Sequence, residues 1–425
     1  MELHPFLEHN TRPNTGWWYV MTTAGDCPSM RVGHTSVYVR GQRDDDAGKV
    51  YVIGGANPSG PFCETFVLDL NTRSWDTVDS PGLRPRYEHA AYVPSCRPGQ
   101  IHVFGGANQA GNMNDIQVLD TDTHTWSTLS PSGTPPAPRT HHTTAAVGDK
   151  LIIYSGGHTG ADPVGDRQVH CFDASSEAWS VLTLRGDSPK PRHGHAMVSV
   201  GNKVFLHGGM AGSTFYDDLH VLDMDKSAWL SIKKKRTFPC ARAAHVMVAC
   251  GPDVYVFGGM NRDGALDDLH KLDTTSMTWS RVELQGPPPA SRLDLASCMV
   301  ELRVPRHSPQ SQGTGDLNST SGHAKEVLQR ELKPGSASSR DSWTDVNASE
   351  AFFPIETTEG AQDQKDTDSK AEETTPRAEG DNCEEGGATG GEETLSDTDT
   401  VHAILLNGGM DTEGEIFDDT LVFLV

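Results

Sequence analysis

The residues of this chain best suited to chemistry are histidines that follow an arginine by three positions. Five such pairs occur, at Arg31 and His34, Arg86 and His89, Arg139 and His142, Arg192 and His195, and Arg242 and His245, while a sixth copy has Arg292 and Leu295. Imidazole is a common metal ligand, so the histidines could in principle surround a metal ion. A catalytic site needs a local, asymmetric set of groups, however, whereas a residue repeated in every copy usually maintains the copy. We therefore interpret these pairs as structural.

The remaining titratable groups offer little more for catalysis. His141, beside His142, has no carboxylate or cysteine at ligand spacing. Aspartate pairs at 217–218, 267–268 and 418–419 recur at matching positions, which favours turn and surface roles over acid–base work. No nucleophile elbow, phosphate-binding loop, zinc motif or dinucleotide fingerprint is present. The sequence predicts no catalytic residue, no metal ligand and no cofactor, so we expect a protein that is not an enzyme.

Paired glycines recur through the chain at a nearly fixed interval. The pairs begin at positions 54, 105, 156, 208 and 258, in steps of 51, 51, 52 and 50 residues, and a sixth begins at Gly408. Each follows a run of β-branched and aromatic residues typical of a buried strand, such as VYVIGG and IHVFGG. Self-similarity at this period predicts stacked copies of one supersecondary unit.

Five of the six copies also carry an aspartate followed six residues later by a tryptophan, as in Asp69 and Trp75. Four short strands separated by turn residues, with no helical apolar period, predict a twisted antiparallel sheet. Radial packing around a channel covers both faces of such a sheet, and the tryptophan of one blade can fill the space against the next. The fold class predicted is therefore an all-β, six-bladed β-propeller.

The two ends of the chain predict how the ring closes. The last copy ends at DDTLVFLV without a fourth strand or a tryptophan, and Trp18 precedes Arg31 by the 13 residues that separate tryptophan from arginine in four other copies. We expect the segment GWWYV to supply the outer strand of blade six. Such closure removes exposed sheet edges.

The last blade is interrupted by an acidic stretch. Residues 306–400 contain 21 Asp and Glu against 8 Lys and Arg, and are rich in Ser, Thr and Gly. Such a composition buries too little apolar surface to offset the entropy of ordering, so we predict a disordered insertion. The predicted domain organisation is a propeller over 1–305 completed by 401–425, with the insertion between the first two strands of blade six.

Composition limits the partners and the compartment. The formal net charge of −23 argues against nucleic-acid binding, which requires basic surface. Eight cysteines show no pairing or zinc spacing, and neither a signal peptide nor a membrane-spanning run is apparent, which favours the cytoplasm.

Partner binding is expected at the connections that differ between copies, because a propeller positions these loops without needing their side chains. Lys233, Lys234, Lys235 and Arg236 form the one dense basic run, which could meet an acidic partner or anionic lipid or could simply be solvated. Phe215 and Tyr216 lie in the preceding connection of the same copy and could anchor a protein contact or pack on their own blade. These six residues are the candidate partner-binding residues.

The spacing of Arg-x-x-His, paired glycines, aspartate and tryptophan resembles the kelch repeat. Particular loops, including HVFGGANQAGN, HGGMAGSTFYDDLH and VFGGMNRDGALDDL, are similar to those of kelch proteins that act as Rab GTPase effectors. The resemblance implies binding of a GTP-loaded Rab GTPase, support of vesicle transport from endosomes to the trans-Golgi network, and a cytoplasmic protein peripheral on endosomal membrane. The alternative is a kelch-type oxidase or epimerase with a site at the mouth of the channel.

Overall fold

The computed structural model describes residues 4–9, 11–43, 45–78, 81–140, 145–159, 162–233, 237–306 and 398–425. Over these ranges the chain forms β-strands and turns and no helix. None of the described segments is therefore a helix long and apolar enough to cross a bilayer.

The described strands build six blades. Each blade is an antiparallel sheet of four main strands, with the first strand beside the channel and the fourth at the outer edge. The strands are Thr35–Val39, Lys49–Ile53, Thr65–Asp69 and Ser74–Thr77 in blade one; Ala90–Tyr92, Gln100–Phe104, Ile116–Asp120 and Thr125–Thr128 in blade two; Ala145–Val147, Lys150–Tyr154, Val169–Asp173 and Ala178–Val181 in blade three; Ala196–Val200, Lys203–His207, Leu219–Asp223 and Ala228–Ile232 in blade four; Val246–Cys250, Asp253–Phe257, Leu269–Asp273 and Thr278–Arg281 in blade five; and Ala296–Pro305, Thr398–Asn407, Thr420–Leu424 and Trp18–Met21 in blade six. The predicted six-bladed propeller is confirmed.

Short two-residue or three-residue ribbons decorate the connection between the second and third strands. They pair Ala56–Asn57 with Gly60–Pro61, Ala107–Asn108 with Gly111–Asn112, Gly157–Thr159 with Asp162–Pro163, Met210–Ala211 with Thr214–Phe215, and Met260–Asn261 with Gly264–Ala265. In an antiparallel blade these connections lie at the same end as the connections between blades. We call this end the loop face, and the opposite end the hairpin face.

Strands from both ends of the chain close the ring, as the sequence predicts. Trp18–Met21 runs antiparallel to Thr420–Leu424, with Trp18 opposite Phe423 and Val20 opposite Leu421. Across the seam to blade one, the backbone N–H of Gly409 donates to the carbonyl of Arg31 at 3.2 Å. The seam thus uses the same bonds as the other blade boundaries.

Tryptophans join each blade to the one before it. The Trp179 ring lies 5.0 Å from Phe104 of blade two, Trp229 lies 5.4 Å from Tyr154 of blade three, and Trp18 lies 5.3 Å from Phe257 of blade five. In each case the indole rests on the residue that ends the second strand of the preceding blade. The tryptophans thus lie between blades as predicted, but they pack on the preceding blade and not on the next one.

The N-terminal segment adds a strand that sequence reasoning did not foresee. Phe6–Leu7 pairs in parallel with Val20–Met21 on the outer edge of blade six, and Leu7 is fully buried. Nearby, Arg12 Nη1 donates to the carbonyl of Pro305 at 3.0 Å and to Asp399 Oδ2 at 2.7 Å. The extra strand therefore covers an edge that would otherwise be open to pairing.

The first two strands of blade six have ten residues each and are at least twice as long as their counterparts. Ala296–Pro305 pairs with Thr398–Asn407 over its full length, so this hairpin extends beyond the blade at the hairpin face. The second strand begins at Thr398, inside the 306–400 segment predicted to be the insertion. Residues 307–397 lie outside the described residues, and the domain boundaries remain a prediction.

One glycine pair is shifted relative to the sequence prediction. In blade three the carbonyl bonded by the repeat arginine belongs to Ser155, and the N–H that reaches the next blade belongs to Gly156. Ser155 and Gly156, rather than Gly156 and Gly157, therefore occupy the paired positions. Ser155 has a φ of 53°, the left-handed conformation that glycine adopts in the other blades. Its Oγ accepts the N–H of Arg192 at 2.8 Å, which helps to offset the strain.

Candidate partner-binding face

Six buried arginines lie beneath the loop face and form ion pairs there. Each forms an ion pair with a carboxylate at or before the start of the third strand of its own blade, with N–O distances from 2.6 to 3.6 Å. The pairs are Arg31 with Glu64, Arg86 with Asp115, Arg139 with Asp166, Arg192 with Asp218, Arg242 with Asp268, and Arg292 with Asp419. All six arginine side chains are at most 2% exposed, so each pair is shielded on the arginine side.

These ion pairs correct the roles predicted for the aspartate pairs. Asp218, Asp268 and Asp419 were expected at turns and on the surface, yet each accepts two hydrogen bonds from an arginine fork. Burial acts to raise the pKa of Asp218 and Asp268, but hydrogen bonds from a neighbouring histidine and from the arginine hold the pKa of both carboxylates well below the usual range. The arginines also donate to the carbonyl of the residue directly after the second strand, such as that of Gly258. Each arginine thereby ties one loop-face connection to another.

The rings of His34 and His245 fit against glycines of the preceding blade, as the structural interpretation of the repeat histidines predicts. A Cβ on Gly208 would come within 2.7 Å of the His245 ring, and a Cβ on Gly408 within 2.8 Å of the His34 ring. Each of these rings therefore occupies the space that a side chain on the preceding blade would fill. Burial, aided by the nearby Arg31 charge, lowers the pKa of His34 to about 3. His141 and His142 lie outside the described residues.

Blades four and five share a buried pair of imidazoles. His207 Nδ1 lies 3.2 Å from His245 Nε2, with the rings nearly perpendicular. Burial lowers the pKa of His207 to about 3 and that of His245 well below its usual value. One neutral ring therefore donates to the other, and both are uncharged at neutral pH.

Neighbouring ribbons on the loop face contact one another. Asn112 Nδ2 donates to the carbonyl of His158 at 2.8 Å, which joins blades two and three. Arg262 Nη2 donates to the carbonyl of Ser213 at 2.9 Å, which joins blades four and five. These bonds fix the loops relative to each other before any partner arrives. Sequence reasoning missed the contact of Arg262, because nothing in MNRDG shows where an exposed arginine will reach.

Phe215 and Tyr216, the predicted aromatic anchors, lie in and just after the ribbon of blade four, and both are half-buried. Phe215 is paired with Met210 across the ribbon. The Tyr216 ring lies 4.2 Å from the guanidinium carbon of Arg192, and its carbonyl accepts the N–H of Arg242. Tyr216 thus packs on its own blade while part of its ring stays accessible. Their role in partner binding remains a prediction.

Only the first residue of the predicted basic run is described. Lys233 follows the outer strand of blade four and is exposed. It begins the connection to blade five, so the topology places it at the same end of blade four as Phe215. Lys234, Lys235 and Arg236 lie outside the described residues. Among the described residues, no three His, Cys, Asp or Glu side chains are arranged to hold a metal ion.

Comparison with known proteins finds a family whose repeat matches the one in this chain. A sequence model for the KLHDC2/KLHL20/DRC7 Kelch-repeats domain matches residues 45–259 and 166–304, which together cover more than half of the chain. The chain is similar to proteins named Rab9 effector protein with kelch motifs. Over 220 residues it is 50% identical to the one from Bos taurus and 48% identical to the one from Homo sapiens, and over 230 residues it is 38% identical to the one from Danio rerio.

These similarities cover part of each protein. The aligned region is 52% of this chain in all three cases, and 59%, 59% and 66% of the Bos taurus, Homo sapiens and Danio rerio relatives. The chain thus spans less than two thirds of the length of the curated relatives it matches. The matched repeat model and the observed blades agree on the family: this chain belongs to the kelch-repeat family.

Proposed function

We propose that this protein is an effector that binds a Rab GTPase in its GTP-bound form and supports vesicle transport from endosomes to the trans-Golgi network. The observation that carries the proposal is the identity of 50% over 220 residues to a protein named as a Rab9 effector. On this proposal the protein acts by binding a partner and not by catalysis.

The loop face of blades four and five is the proposed contact surface. Phe215 offers partly exposed aromatic area, and the contact of Arg262 with Ser213 holds the two adjoining ribbons in place. A preformed surface loses little conformational entropy on binding, and aromatic and arginine side chains supply much of the binding energy of protein interfaces. Lys233, at the edge of this surface, would favour approach of a partner with acidic groups.

The test is binding of the full chain to purified Rab9 loaded with a non-hydrolysable GTP analogue or with GDP. We expect the GTP form to bind at least about tenfold more tightly, which corresponds to roughly 1.4 kcal/mol. Phe215→Ala should weaken binding, whereas Asn112→Ala, at the matching ribbon position of blade two, should not. Equal affinity for the two nucleotide states would contradict an effector role. Equal losses in the two variants would contradict the proposed surface.

We also propose that the protein is cytoplasmic and peripheral on endosomal membrane. Its basic run, residues 233–236, would contact the anionic surface of that membrane. Each basic residue near an anionic surface contributes about 1 kcal/mol of attraction, so four adjacent residues would suffice for weak, reversible binding. Sedimentation with phosphatidylserine vesicles tests this contact. Replacing residues 233–236 by alanine should release the protein, and Lys150→Glu, on the hairpin face, should have no effect. Unchanged vesicle binding after removal of the run would contradict the contact.

A further inference from the structure

The closing strand pair of blade six lacks the short turn that joins the third and fourth strands of the other blades. Trp18–Met21 and Thr420–Leu424 come from distant parts of the chain. Their ladder spans three residues of each strand, against four or five in the other blades. Bringing together two strands that no short loop joins costs more chain entropy than forming a hairpin. If nothing else held it, this pair would open more easily than its counterparts.

The segment that precedes the closing strand holds this pair from the outside. We call residues 5–9 and 11–16 the strap. The carbonyl of Pro5 accepts the N–H of Val20, in the closing strand, at 3.0 Å. Near the other end of the strap, the carbonyl of Gly16 accepts the N–H of Gln285, in the connection from blade five to blade six, at 2.7 Å. The strap is therefore bonded both to the closing strand and to the neighbouring connection.

Arg12 joins the strap to the extended hairpin of the same blade. Its Nη1 donates to the carbonyl of Pro305, which ends the first strand, and to Asp399, which lies near the start of the second. The side chains of Arg12 and Asp399 are 35% and 40% exposed. An ion pair exposed to this extent contributes little by itself. The strap therefore needs a buried anchor.

The buried anchor of the strap is Leu7. Its side chain is fully buried, in a cluster that includes Tyr19 and Met21 of the closing strand and Trp75 of blade one. Its carbonyl accepts a hydrogen bond from Nη1 of Arg73 at 2.5 Å. Since Arg73 belongs to blade one, Leu7 joins the closing strand to the next blade of the ring.

Arg73 differs from the residues at the same position in the other blades. It lies two residues before Trp75, in a turn position that has a positive φ in blades one to five, and only in blade one is the residue there buried, at 4% exposure. No carboxylate in the described part of the chain pairs with its guanidinium, and burial alone lowers its pKa. A buried guanidinium without a carboxylate needs another acceptor, because an unsatisfied buried donor is costly. The strap supplies that acceptor in the carbonyl of Leu7.

We propose that the strap is a latch that controls opening of the ring, with the hydrogen bond from Arg73 to Leu7 as its anchor. While Leu7 stays in its site, Trp18–Met21 remains paired with Thr420–Leu424. When Leu7 leaves, this pair separates while the other blades stay folded, which is local opening of a single unit. The open latch exposes the edge of Thr420–Leu424 and makes it available for pairing with another strand. The latch is separate from the loop-face surface proposed for the GTPase, and its test needs no partner.

The test is amide hydrogen exchange of the full chain at neutral pH, read by mass spectrometry for the wild type, Leu7→Ala and Arg73→Met. We expect exchange at residues 420–424 to be at least about tenfold faster in both variants. A tenfold change corresponds to about 1.4 kcal/mol, and loss of a buried leucine or of a hydrogen bond from a charged group exceeds this. The strands of blades two to four should exchange as in the wild type. Unchanged exchange at residues 420–424 in Leu7→Ala, or equal acceleration in every blade, would overturn the latch.

A control variant separates opening of the latch from a general loss of stability. Leu222→Ala is the matched control, because Leu222 is as fully buried as Leu7 but lies in blade four. It should speed exchange in blade four and leave residues 420–424 unchanged. Arg73→Met keeps the aliphatic part of the side chain, so blade one should remain folded even if Leu7→Ala does not fold. Unchanged exchange at residues 420–424 in Arg73→Met, with an intact thermal transition, would refute Arg73 as the anchor.

Discussion

The indole of Trp18 lies 5.0 Å from the ring of Phe423, and the two residues face each other across strands from opposite ends of the chain. Trp18 is 1% exposed and also contacts Phe257 of blade five. One side chain therefore joins three segments that are distant in sequence: the first strand of the closing pair, the last strand of the chain, and the neighbouring blade.

Replacement of Trp18 by alanine should destabilise the propeller by about 3 to 5 kcal/mol, the usual cost of removing a large buried aromatic side chain. Trp126→Ala is the matched control, because Trp126 holds the same position in blade two but is only partly buried. Urea unfolding followed by circular dichroism measures both. An equal loss of stability in the two variants would show that the seam has no special dependence on Trp18.

The free energy of unfolding should fall further when Arg242 alone is replaced than when Arg242 and Asp268 are replaced together. Arg242 is fully buried and Asp268 is 19% exposed, so Arg242→Ala leaves a mostly buried carboxylate without its partner. We expect a loss of about 3 to 5 kcal/mol in the free energy of unfolding. The double variant Arg242→Met with Asp268→Leu should lose less, because no charge is stranded.

Chemical denaturation of both variants and of Arg262→Ala provides the comparison, since Arg262 is an exposed arginine of the same blade. Its loss should change stability by less than about 1 kcal/mol. A double variant that is less stable than Arg242→Ala would mean that the pair contributes net attraction beyond the cost of burying its charges.

Buried histidines should make the protein sensitive to mild acid. The pKa of His207 is about 3 in the folded state and about 6.5 when unfolded, so below pH 6.5 the unfolded chain binds a proton that the folded chain does not. The stability linked to this group is fully present above pH 6.5 and falls by up to about 1.4 kcal/mol per pH unit as the pH drops toward 3. His34 contributes in the same direction for the same reason.

His207→Phe tests this dependence, because blades two and five carry phenylalanine at the matching positions, Phe104 and Phe257. The slope of unfolding free energy against pH between 6 and 4 should fall by about 1.4 kcal/mol per unit relative to the wild type. Val204→Ala, a buried change on the same strand, should lower stability without changing the slope. An unchanged slope in His207→Phe would indicate that His207 is not the group that takes up the proton.

The number of blades, the closing strand and the packing role of the tryptophans could all be predicted because they repeat. Spacing between Trp18 and Arg31 sufficed to assign a strand to the far end of the chain. The partners of the arginines could not be predicted in the same way, since they depend on which of two adjacent aspartates turns inward. Strand alternation alone did not distinguish Asp217 from Asp218, although Arg192 donates two hydrogen bonds to Asp218.

The candidate site was less accessible to sequence reasoning than the fold. Phe215 and Tyr216 could be identified as aromatic residues in a variable connection, but the stacking of Tyr216 on Arg192 requires coordinates. The positive φ shared by Glu88 and Asp294 carried no signal either, because the position before the repeat histidine is glycine in blades one and four, alanine in blade five and histidine in blade three. What they have in common is a backbone conformation, which residue type alone does not reveal.

Ser155 allows the backbone conformation and the side-chain bond at this position to be tested separately. Ser155→Ala keeps a side chain at a φ of 53° and removes the acceptor of the Arg192 N–H, so we expect a loss of about 1 to 3 kcal/mol. Ser155→Gly also removes the acceptor but relieves about 1 kcal/mol of left-handed strain, so it should be more stable than Ser155→Ala. Thermal unfolding of the wild type and both variants gives the order. If alanine were the more stable replacement, strain at this position would be negligible and the shifted glycine pair of blade three would need another explanation.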